Sequence, residues 1–249
     1  MSQTNILQTA FPPIAFIGGG NMASAIIGGL IRQGVPASSI TVVEPFEASR
    51  QALKTQFGID ALPAASDALQ SAQLVVWAVK PQSFKEAAEP VAAFTRNALH
   101  LSVAAGITTE SVAGWTGTQR IVRAMPNTPA LVGKGMTGLF ARPEVDAAGK
   151  ALIAAVIGST GELTWVEQEA HLDAVTALSG SGPAYVFLFL EAMTQAGVDM
   201  GLTAEQSYKL AVATFAGGSE LAARSTESAE VLRQRVTSKG GTTYAAITH

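Results

Sequence analysis

The stretch Ile14–Ala23, IAFIGGGNMA, decides the fold of this chain. A short apolar run, Ile14–Ile17, breaks into glycines and then enters a helical pattern. The spacing is G-x-G-x-x-A: the first glycine permits a tight turn, the second lets a pyrophosphate approach the backbone, and the small last residue allows close packing of helix and strand. The N–H groups of the helix N-terminus favour phosphate. The stretch predicts a dinucleotide-binding turn, with a purely structural turn as the alternative.

The predicted cofactor contacts at this turn are the seven residues around the glycines: Ile17, Gly18, Gly19, Gly20, Asn21, Met22 and Ala23. Strands and helices alternate downstream of the turn, which favours a Rossmann-type, doubly wound parallel sheet. Further strands are predicted at Ile40–Val43, Leu74–Val79, Leu99–Ala104, Arg120–Ala124, Met136–Ala141 and Glu162–Val166.

Beyond Glu167 the pattern is helical, with little strand signal. Helices are predicted there at Pro183–Gln195, Ala204–Arg224 and Ser228–Arg235. We therefore predict an α/β dinucleotide-binding domain over residues 1–165 and an all-α domain over residues 166–249.

Composition narrows the class of protein. Only 14% of the 249 residues are charged, where a typical soluble domain has about 25%, and this shortage hints at surface covered by a partner subunit. The net charge of −3 comes with no basic block, so no nucleic acid is expected. The absence of cysteine excludes disulfides and thiolate catalysis. The histidines lack metal-ligand spacing, so no metal is predicted.

The N-terminal stretch MSQTNILQTAFPP, residues 1–13, predicts a disordered or edge-lying leader without the features of a secretory signal. The most apolar later stretch, Ala184–Leu190, is far shorter than the ~20 residues of a membrane span. A soluble protein of the cytoplasm, with no membrane partner, is the expectation.

An acidic residue at the end of the second strand commonly binds the ribose hydroxyls of NAD. Glu44 stands there, about 20 positions after the glycine turn, and would repel a 2′-phosphate. A solvated glutamate that begins a turn is the alternative. Arg50 lies nearby and suits a 2′-phosphate, so the choice between NADPH and NADH stays open.

Two further strand ends are expected at the same edge of the sheet. Ala78, Val79, Lys80 and Pro81 follow one strand, and Ala104, Ala105 and Gly106 end the next. Ligands of open α/β sheets lie beyond the carboxyl ends of the strands. Small residues at these ends leave room for the nicotinamide, whereas Lys80 faces phosphate or ribose, or is simply solvated.

Several motifs occur in one order along nearly the whole chain. Besides the glycine turn they are AVKPQ at 78–82, AAG at 104–106, MPNTP at 125–129, TALSGSGPAY at 176–185 and VTSKGGTT at 236–243. Together they resemble the pyrroline-5-carboxylate reductase family. The resemblance implies hydride transfer from NADPH or NADH to the C=N bond of 1-pyrroline-5-carboxylate, which yields L-proline. It also implies a homodimer or a larger assembly, formed through a helical C-terminal dimerisation domain, in which the partner supplies the substrate loop.

The resemblance also implies roles for individual residues. Thr176 lies close to the nicotinamide, and Thr176 and Thr243 are the expected catalytic pair. Asn127 is an architectural loop residue near the nicotinamide, and Glu169 lines the ring nitrogen of the substrate. Glu169 and Thr176, seven residues apart, are predicted to share one helix face, and a solvated helix-start carboxylate is the alternative for Glu169.

The GGTT motif is expected to bind the substrate carboxylate. Backbone N–H groups in such turns form anion nests, and hydroxyls add donors. The expected substrate contacts are Ser238, Gly240, Gly241, Thr242 and Thr243. A plain glycine-rich helix cap is the structural alternative.

Two departures from the family pattern accompany these matches. Lys239 replaces the usual proline of VTSPGGTT, which loosens the turn but adds a cation. The family normally continues beyond the GGTT helix, so a short or missing last helix is expected here. These departures support an alternative: an oligomeric protein that binds the cofactor without turnover. Another imine or β-hydroxyacid reductase of the same plan is disfavoured, because its catalytic lysine is missing between Trp165 and Leu202.

Overall fold

The computed structural model describes residues 11–248. Residues 1–10 of the predicted leader lie outside the described residues. Clustering of contacts divides the chain into two compact units, Met1–Pro183 and Ala184–His249, called unit 1 and unit 2 below. The last strand of unit 1 ends at Trp165, and the domain boundary near residue 165 stays a prediction.

Unit 1 is built on one seven-stranded sheet with the order β2-β1-β3-β4-β5-β6-β7. Its strands are β1 (Ile14–Ile17), β2 (Ile40–Val43), β3 (Leu74–Trp77), β4 (Leu99–Ser102), β5 (Ile121–Met125), β6 (Gly135–Ala141) and β7 (Gly161–Trp165). Strands β1 to β5 are parallel, as predicted. A single bridge pairs Leu62 with Val43 beside β2, where the classical Rossmann order 3-2-1-4-5-6 has a further strand.

The prediction of a parallel sheet is wrong for its far end. Strand β6 runs antiparallel to β5, and β7 runs parallel to β6. A parallel neighbour needs a crossover of about a dozen residues or more, and the loop between Met125 and Gly135 is shorter than that. The chain therefore turns back beside β5, and the Rossmann-type arrangement ends there.

Helices cover both faces of the sheet in unit 1. They are α1 (Asn21–Arg32), α2 (Glu47–Phe57), α3 (Phe84–Thr95), α4 (Thr109–Thr116), α5 (Ala147–Gly158) and α6 (His171–Val175). Alternate residues of β1 belong to two different apolar clusters: Phe16 lies with α1 and α5 residues, and Ile17 lies with α3 and α4 residues. Since successive side chains of a strand point to opposite faces, the sheet is the middle layer of a sandwich.

The remaining helices are α7 (Gly182–Asp199), α8 (Ala204–Arg224), α9 (Ala229–Arg235) and α10 (Thr242–Ile247). Helix α8 has the predicted bounds and begins with a capping box. Its Thr203 Oγ1 accepts from the Gln206 N–H (3.1 Å), and Gln206 Oε1 accepts from the Thr203 N–H (3.0 Å). Within the described residues, no helix is both long and apolar enough to cross a membrane.

Candidate active site

The carboxyl ends of β1, β2 and β3 meet at one edge of the sheet. The N–H of Gly18, directly after β1, donates to Val43 O of β2 (2.8 Å). The N–H of Ala78, directly after β3, donates to Ile17 O of β1 (2.8 Å). The loops after β4 and β5, which are parallel neighbours, open at this same edge. The fold therefore gathers here all the residues that the sequence predicted as cofactor contacts.

The glycine turn has the shape of a phosphate cradle. Gly18 has a φ of +94°, and a Cβ there would lie 2.6 Å from Ala78 O. Gly20 is exposed, and a Cβ on it would meet nothing within 4 Å. Gly20 is also the N-cap of α1 and makes no side-chain capping bond. The turn thus needs glycine at its base and leaves space and backbone N–H groups at its tip, which fits a pyrophosphate.

Glu44 is held against this turn rather than solvated. The residue is only 6% exposed, and its Oε2 accepts from the Gly19 N–H (2.8 Å) while Oε1 accepts from the Phe46 N–H (2.9 Å). A carboxylate has about four acceptor positions, so two remain after these bonds. The negative charge is fixed beside the glycine turn and retains the capacity to accept from hydroxyl groups.

Arg50, the other residue that could determine the cofactor preference, makes its hydrogen bonds within its own loop and the start of α2. Its Nη1 donates to Glu44 O (3.0 Å) and to Pro45 O (2.7 Å), and its Nη2 forms an ion pair with Glu47. The Arg50 side chain is 20% exposed. This guanidinium therefore closes the turn after β2 and is committed to backbone oxygens.

The loops after β3 and β4 are lined by small residues, as predicted. Ala104 is buried, and Gly106 adopts a φ of +74° that favours glycine. Lys80 is exposed at the start of a short 3-10 turn, Pro81–Ser83. The small side chains of these loops therefore lie at the sheet edge, with Lys80 exposed to solvent beside them.

The expected placement of Glu169 on a helix with Thr176 is wrong. Glu169 lies in a turn before α6, which begins only at His171, and Thr176 opens a π-helical turn, Thr176–Gly180. The Glu169 carboxylate accepts from the Thr109 N–H (2.8 Å), the Thr109 Oγ1–H (2.6 Å) and Arg123 Nη1 (3.0 Å). The solvated alternative is therefore also wrong, because the side chain is bound inside unit 1.

Asn127 joins two parts of the chain through its amide. Its Nδ2 donates to Ser179 O (3.1 Å) in the π-helical turn, and its Oδ1 accepts from the Met136 N–H (2.9 Å) at the start of β6. The hydroxyl of Thr176 donates to Leu172 O (2.7 Å), which leaves the lone pairs of its oxygen available. The segment before α7 is thus hydrogen-bonded to the loop after β5 and carries a half-buried Thr176.

The predicted substrate loop forms a turn before α10 in unit 2. The Gly241 N–H donates to Ser238 O (3.0 Å), and Gly240 adopts a φ of +74°. Thr242 and Thr243 form the exposed first turn of α10. Lys239 is exposed within the same turn.

Comparison with known proteins connects both units to one family. Residues 169–249 match the family model described as "Pyrroline-5-carboxylate reductase dimerisation". Residues 13–106 match the family model described as "NADP oxidoreductase coenzyme F420-dependent". The chain is 44% identical over 238 residues to the pyrroline-5-carboxylate reductase of Pseudomonas aeruginosa, covering 95% of this chain and 87% of the relative. This chain belongs to the pyrroline-5-carboxylate reductase family. The corresponding protein of Haemophilus influenzae is 42% identical, with 94% and 87% covered.

Solved structures of pyrroline-5-carboxylate reductases have the same fold. The protein from Coxiella burnetii superposes with a TM-score of 0.89 at 39% identity, covering 96% of this chain and 89% of the other. The protein from Plasmodium falciparum, solved with NADP bound, has a TM-score of 0.84 at 26% identity, with the same coverage. An imine reductase from Streptomyces aurantiacus, 17% identical with a TM-score of 0.60, shares the fold. The predicted Rossmann-type and helical plan of the family is confirmed.

The family's dimerisation region has a surface that one chain leaves open. Five consecutive apolar residues of α7, from Tyr185 to Phe189, are between 40% and 64% exposed. Five successive residues point around the whole helix, and a helix that is apolar all round is normally buried. This exposed apolar surface agrees with the homo-oligomer that the family's dimerisation region indicates.

Sequence reasoning missed Thr109, Arg123 and Ser179, which hold Glu169 and Asn127 in place. The sequence did contain a sign of the role of Arg123, because this residue interrupts the apolar strand IVRAM. A buried arginine is almost always paired, so a partner was to be expected. Its partner, Glu169, lies 46 positions away, and nothing in the local pattern links them. Among the described residues, no group of acidic and histidine side chains could hold a metal ion.

Proposed function

We propose that this chain reduces 1-pyrroline-5-carboxylate to L-proline, the last step of proline biosynthesis, with NADPH or NADH as the reductant. Family membership across 95% of the chain carries the proposal. The open glycine turn at the carboxyl edge of the sheet supports it, because the turn suits the pyrophosphate of such a cofactor.

The reaction demands positioning more than strong acid catalysis. When bound, the reduced nicotinamide supplies the hydride. The hydride adds to the carbon of the protonated C=N bond, and the bond's electron pair stays on the nitrogen, which becomes the ring amine. An iminium is already electrophilic, so the protein's main task is to hold the reacting atoms in line. We assign Thr176 to this task, since its oxygen can accept from the ring N–H.

In unit 1 we assign the cofactor to the predicted contacts at the sheet edge. Glu44 is the proposed acceptor for the ribose hydroxyls, using the positions that Gly19 and Phe46 leave open. A carboxylate accepts from the ribose hydroxyls but repels a 2′-phosphate. With Arg50 bound to backbone oxygens, NADH is the proposed better reductant.

In unit 2 we assign the substrate carboxylate to the turn before α10. Gly240, Thr242 and Thr243 are exposed and Gly241 is half-buried, and Lys239 adds a positive charge to the turn. Thr243 is the proposed key hydroxyl donor. We also propose a cytoplasmic location, supported by the requirement for a reduced nicotinamide cofactor and testable by cell fractionation.

The assay follows absorbance at 340 nm with each reduced cofactor, with and without 1-pyrroline-5-carboxylate. We expect oxidation only when the imine is present, with L-proline as the product. Cofactor binding in a fluorescence titration without any turnover would instead favour the non-catalytic alternative. Turnover of other cyclic imines but not of this one would assign the chain to a different substrate.

A further inference from the structure

We propose that Asn127 and Glu169 are positioning residues that fasten the segment carrying Thr176 to the two loops after β4 and β5. Each of these loops lies at the sheet edge where the cofactor is assigned. The expected effect on catalysis rests on the proposed function. The fastening itself is a property of the free protein and is measured without substrate or cofactor.

Glu169 fastens the front of the segment to the loop after β4. Two of its three bonds go to Thr109, the first residue of α4, which lies three positions after Gly106 at the end of the loop that follows β4. The third bond goes to Arg123 of β5. The Arg123 side chain is 8% exposed and that of Glu169 is 22% exposed. The pair is thus largely shielded from water, where a charge-assisted hydrogen bond is strong and directional.

Asn127 fastens the rear of the segment to the loop after β5. A π-helical turn is rare and is found mostly at functional sites, and this one is closed by the Ser181 N–H donating to Thr176 O (2.8 Å). Asn127 Nδ2 donates to Ser179 O within the turn, while its Oδ1 is anchored by the Met136 N–H. One amide therefore sets the distance between the turn and the sheet.

The segment between Glu169 and Asn127's partner Ser179 is also closely packed against the sheet, so it has little space in which to shift. A Cβ on Gly138 would lie 2.8 Å from Val175, and a Cβ on Gly180 would lie 2.8 Å from Met125. Val175 precedes the turn that begins at Thr176, and Gly180 is its last residue. The position of the Thr176 hydroxyl is therefore fixed by bonds at both ends and by contact with β5 and β6 between them.

This arrangement should act on the rate of the reaction and not on cofactor affinity. The Asn127 amide and the Glu169 carboxylate are bonded to other protein groups in the free chain, so the fastening does not depend on contact with the cofactor. Loosening either bond lets Thr176 drift, and a drift of about 1 Å is enough to cost on the order of 100-fold in rate.

The experiment compares Asn127→Ala and Glu169→Gln with the wild-type protein by three measurements. Hydrogen–deuterium exchange of the free protein should increase in peptides covering residues 169–181. The value of kcat should fall at least about ten-fold, with the dissociation constant for NADH within about three-fold. The isotope effect with 4-deuterated NADH should rise, as hydride transfer becomes rate-limiting.

Two matched controls carry the same chemical changes elsewhere. Asn97→Ala, in the loop before β4, and Glu89→Gln, on α3, alter exposed side chains and should leave all three measurements unchanged. Where Glu169→Gln fails to fold, Thr109→Val removes the hydroxyl that donates to Glu169 and accepts from Arg142 but keeps the backbone bond to Glu169, so that a smaller effect of the same kind is expected.

Unchanged exchange over residues 169–181 would overturn the proposal, and so would increased exchange with an unchanged kcat per folded molecule. A parallel loss of NADH affinity would make Asn127 a cofactor ligand instead. If the wild-type protein shows no turnover, the proposed function fails, while exchange and NADH binding still decide whether the fastening exists.

Discussion

The two units of this chain bury their apolar residues in different ways. Unit 1 places a sheet between two helical layers, so Trp77, Phe16 and Phe84 are fully buried within one chain. Unit 2 buries Leu190 and Ala211, but most of its other large apolar residues are exposed. A sheet with helices on both faces is complete in itself, whereas a few helices without a central layer need a second copy. The residues that stabilise the single chain therefore lie mainly in unit 1, whereas the apolar residues available for assembly lie mainly in unit 2.

The largest expected effect comes from a charge placed on α7. Phe187→Asp should raise the dissociation constant of the dimer by about 1000-fold or more, because the carboxylate would be buried unpaired in each of two symmetric copies. Analytical ultracentrifugation measures the change. The control is Val132→Asp, at a residue of unit 1 that is 76% exposed. If Val132→Asp dissociates the protein equally, unit 1 also contributes to the assembly and the contrast fails.

The next effect contrasts two phenylalanines. Phe84 is fully buried and stacks on Trp77 with ring centroids 4.8 Å apart, so Phe84→Ala should cost about 3–5 kcal/mol of unfolding free energy at any protein concentration. Phe189 is 60% exposed in the single chain, so the effect of Phe189→Ala should depend on protein concentration. Denaturant titrations at two concentrations, 100-fold apart, separate the two. Equal behaviour of both variants would contradict the difference between the units.

Acid should weaken unit 1 through a histidine of its core. His100 Nδ1 accepts from Trp77 Nε1 (3.1 Å), and its Nε2 lies 3.0 Å from Thr95 O. Burial lowers the pKa of His100 from 6.5 to about 4. Between these pH values the unfolded chain binds a proton that the folded chain does not, so stability decreases as the pH falls through this window. The loss at pH 4 should be on the order of 3 kcal/mol.

Thermal unfolding at pH 7 and pH 4.5 measures this effect. His100→Gln removes the titrating group and should flatten that part of the pH dependence, although the variant is less stable at pH 7. His171→Gln, at an exposed histidine, should keep the wild-type profile. A profile that follows His171 and not His100 would show that the buried ring is not the acid-sensitive group.

The smallest effects test whether unit 1 selects the cofactor and unit 2 the substrate. Glu44→Gln keeps an acceptor for the Gly19 N–H but removes the charge, and should raise the NADPH-to-NADH ratio of kcat/KM by about ten-fold. Thr243→Ala should raise KM for the imine by about ten-fold and leave that ratio unchanged. Steady-state kinetics with both cofactors measures each value.

Thr248→Ala is the matched control for Thr243→Ala, because the hydroxyl of Thr248 already donates to Tyr244 O (2.9 Å). It should leave KM for the imine unchanged. If Glu44→Gln altered KM for the imine, or if Thr243→Ala altered the cofactor ratio, selection of cofactor and substrate would not be separated between the two units.

Local patterns predicted much of the fold because they depend on near neighbours. The bounds of α8 agree with prediction, since Thr203 marks the helix start within the chain itself. The glycine turn was equally readable. The reversal of β6 was not, because strand direction depends on how far a loop can carry the chain across the sheet.

The candidate site divides in the same way. The residues at the carboxyl ends of β1 to β5 were predictable, since every parallel strand ends at one edge. The bonding of Glu169 was not, because Thr109 and Arg123 lie 60 and 46 positions away. Spacing by seven suggested a shared helix face with Thr176, but a turn and a π-helical turn replace that regular helix.

The sequence by itself determined the Rossmann-type unit, the glycine turn, the helical C-terminal region and the family. These rest on periodicity, turn chemistry and motifs, which are local properties of the chain. Only the tertiary structure decided that Glu44 is bound to the glycine turn, that Arg50 is committed to backbone oxygens, and that Asn127 and Glu169 hold the segment of Thr176. Side-chain partners distant in sequence are chosen by the packing of the whole fold, which no local pattern records.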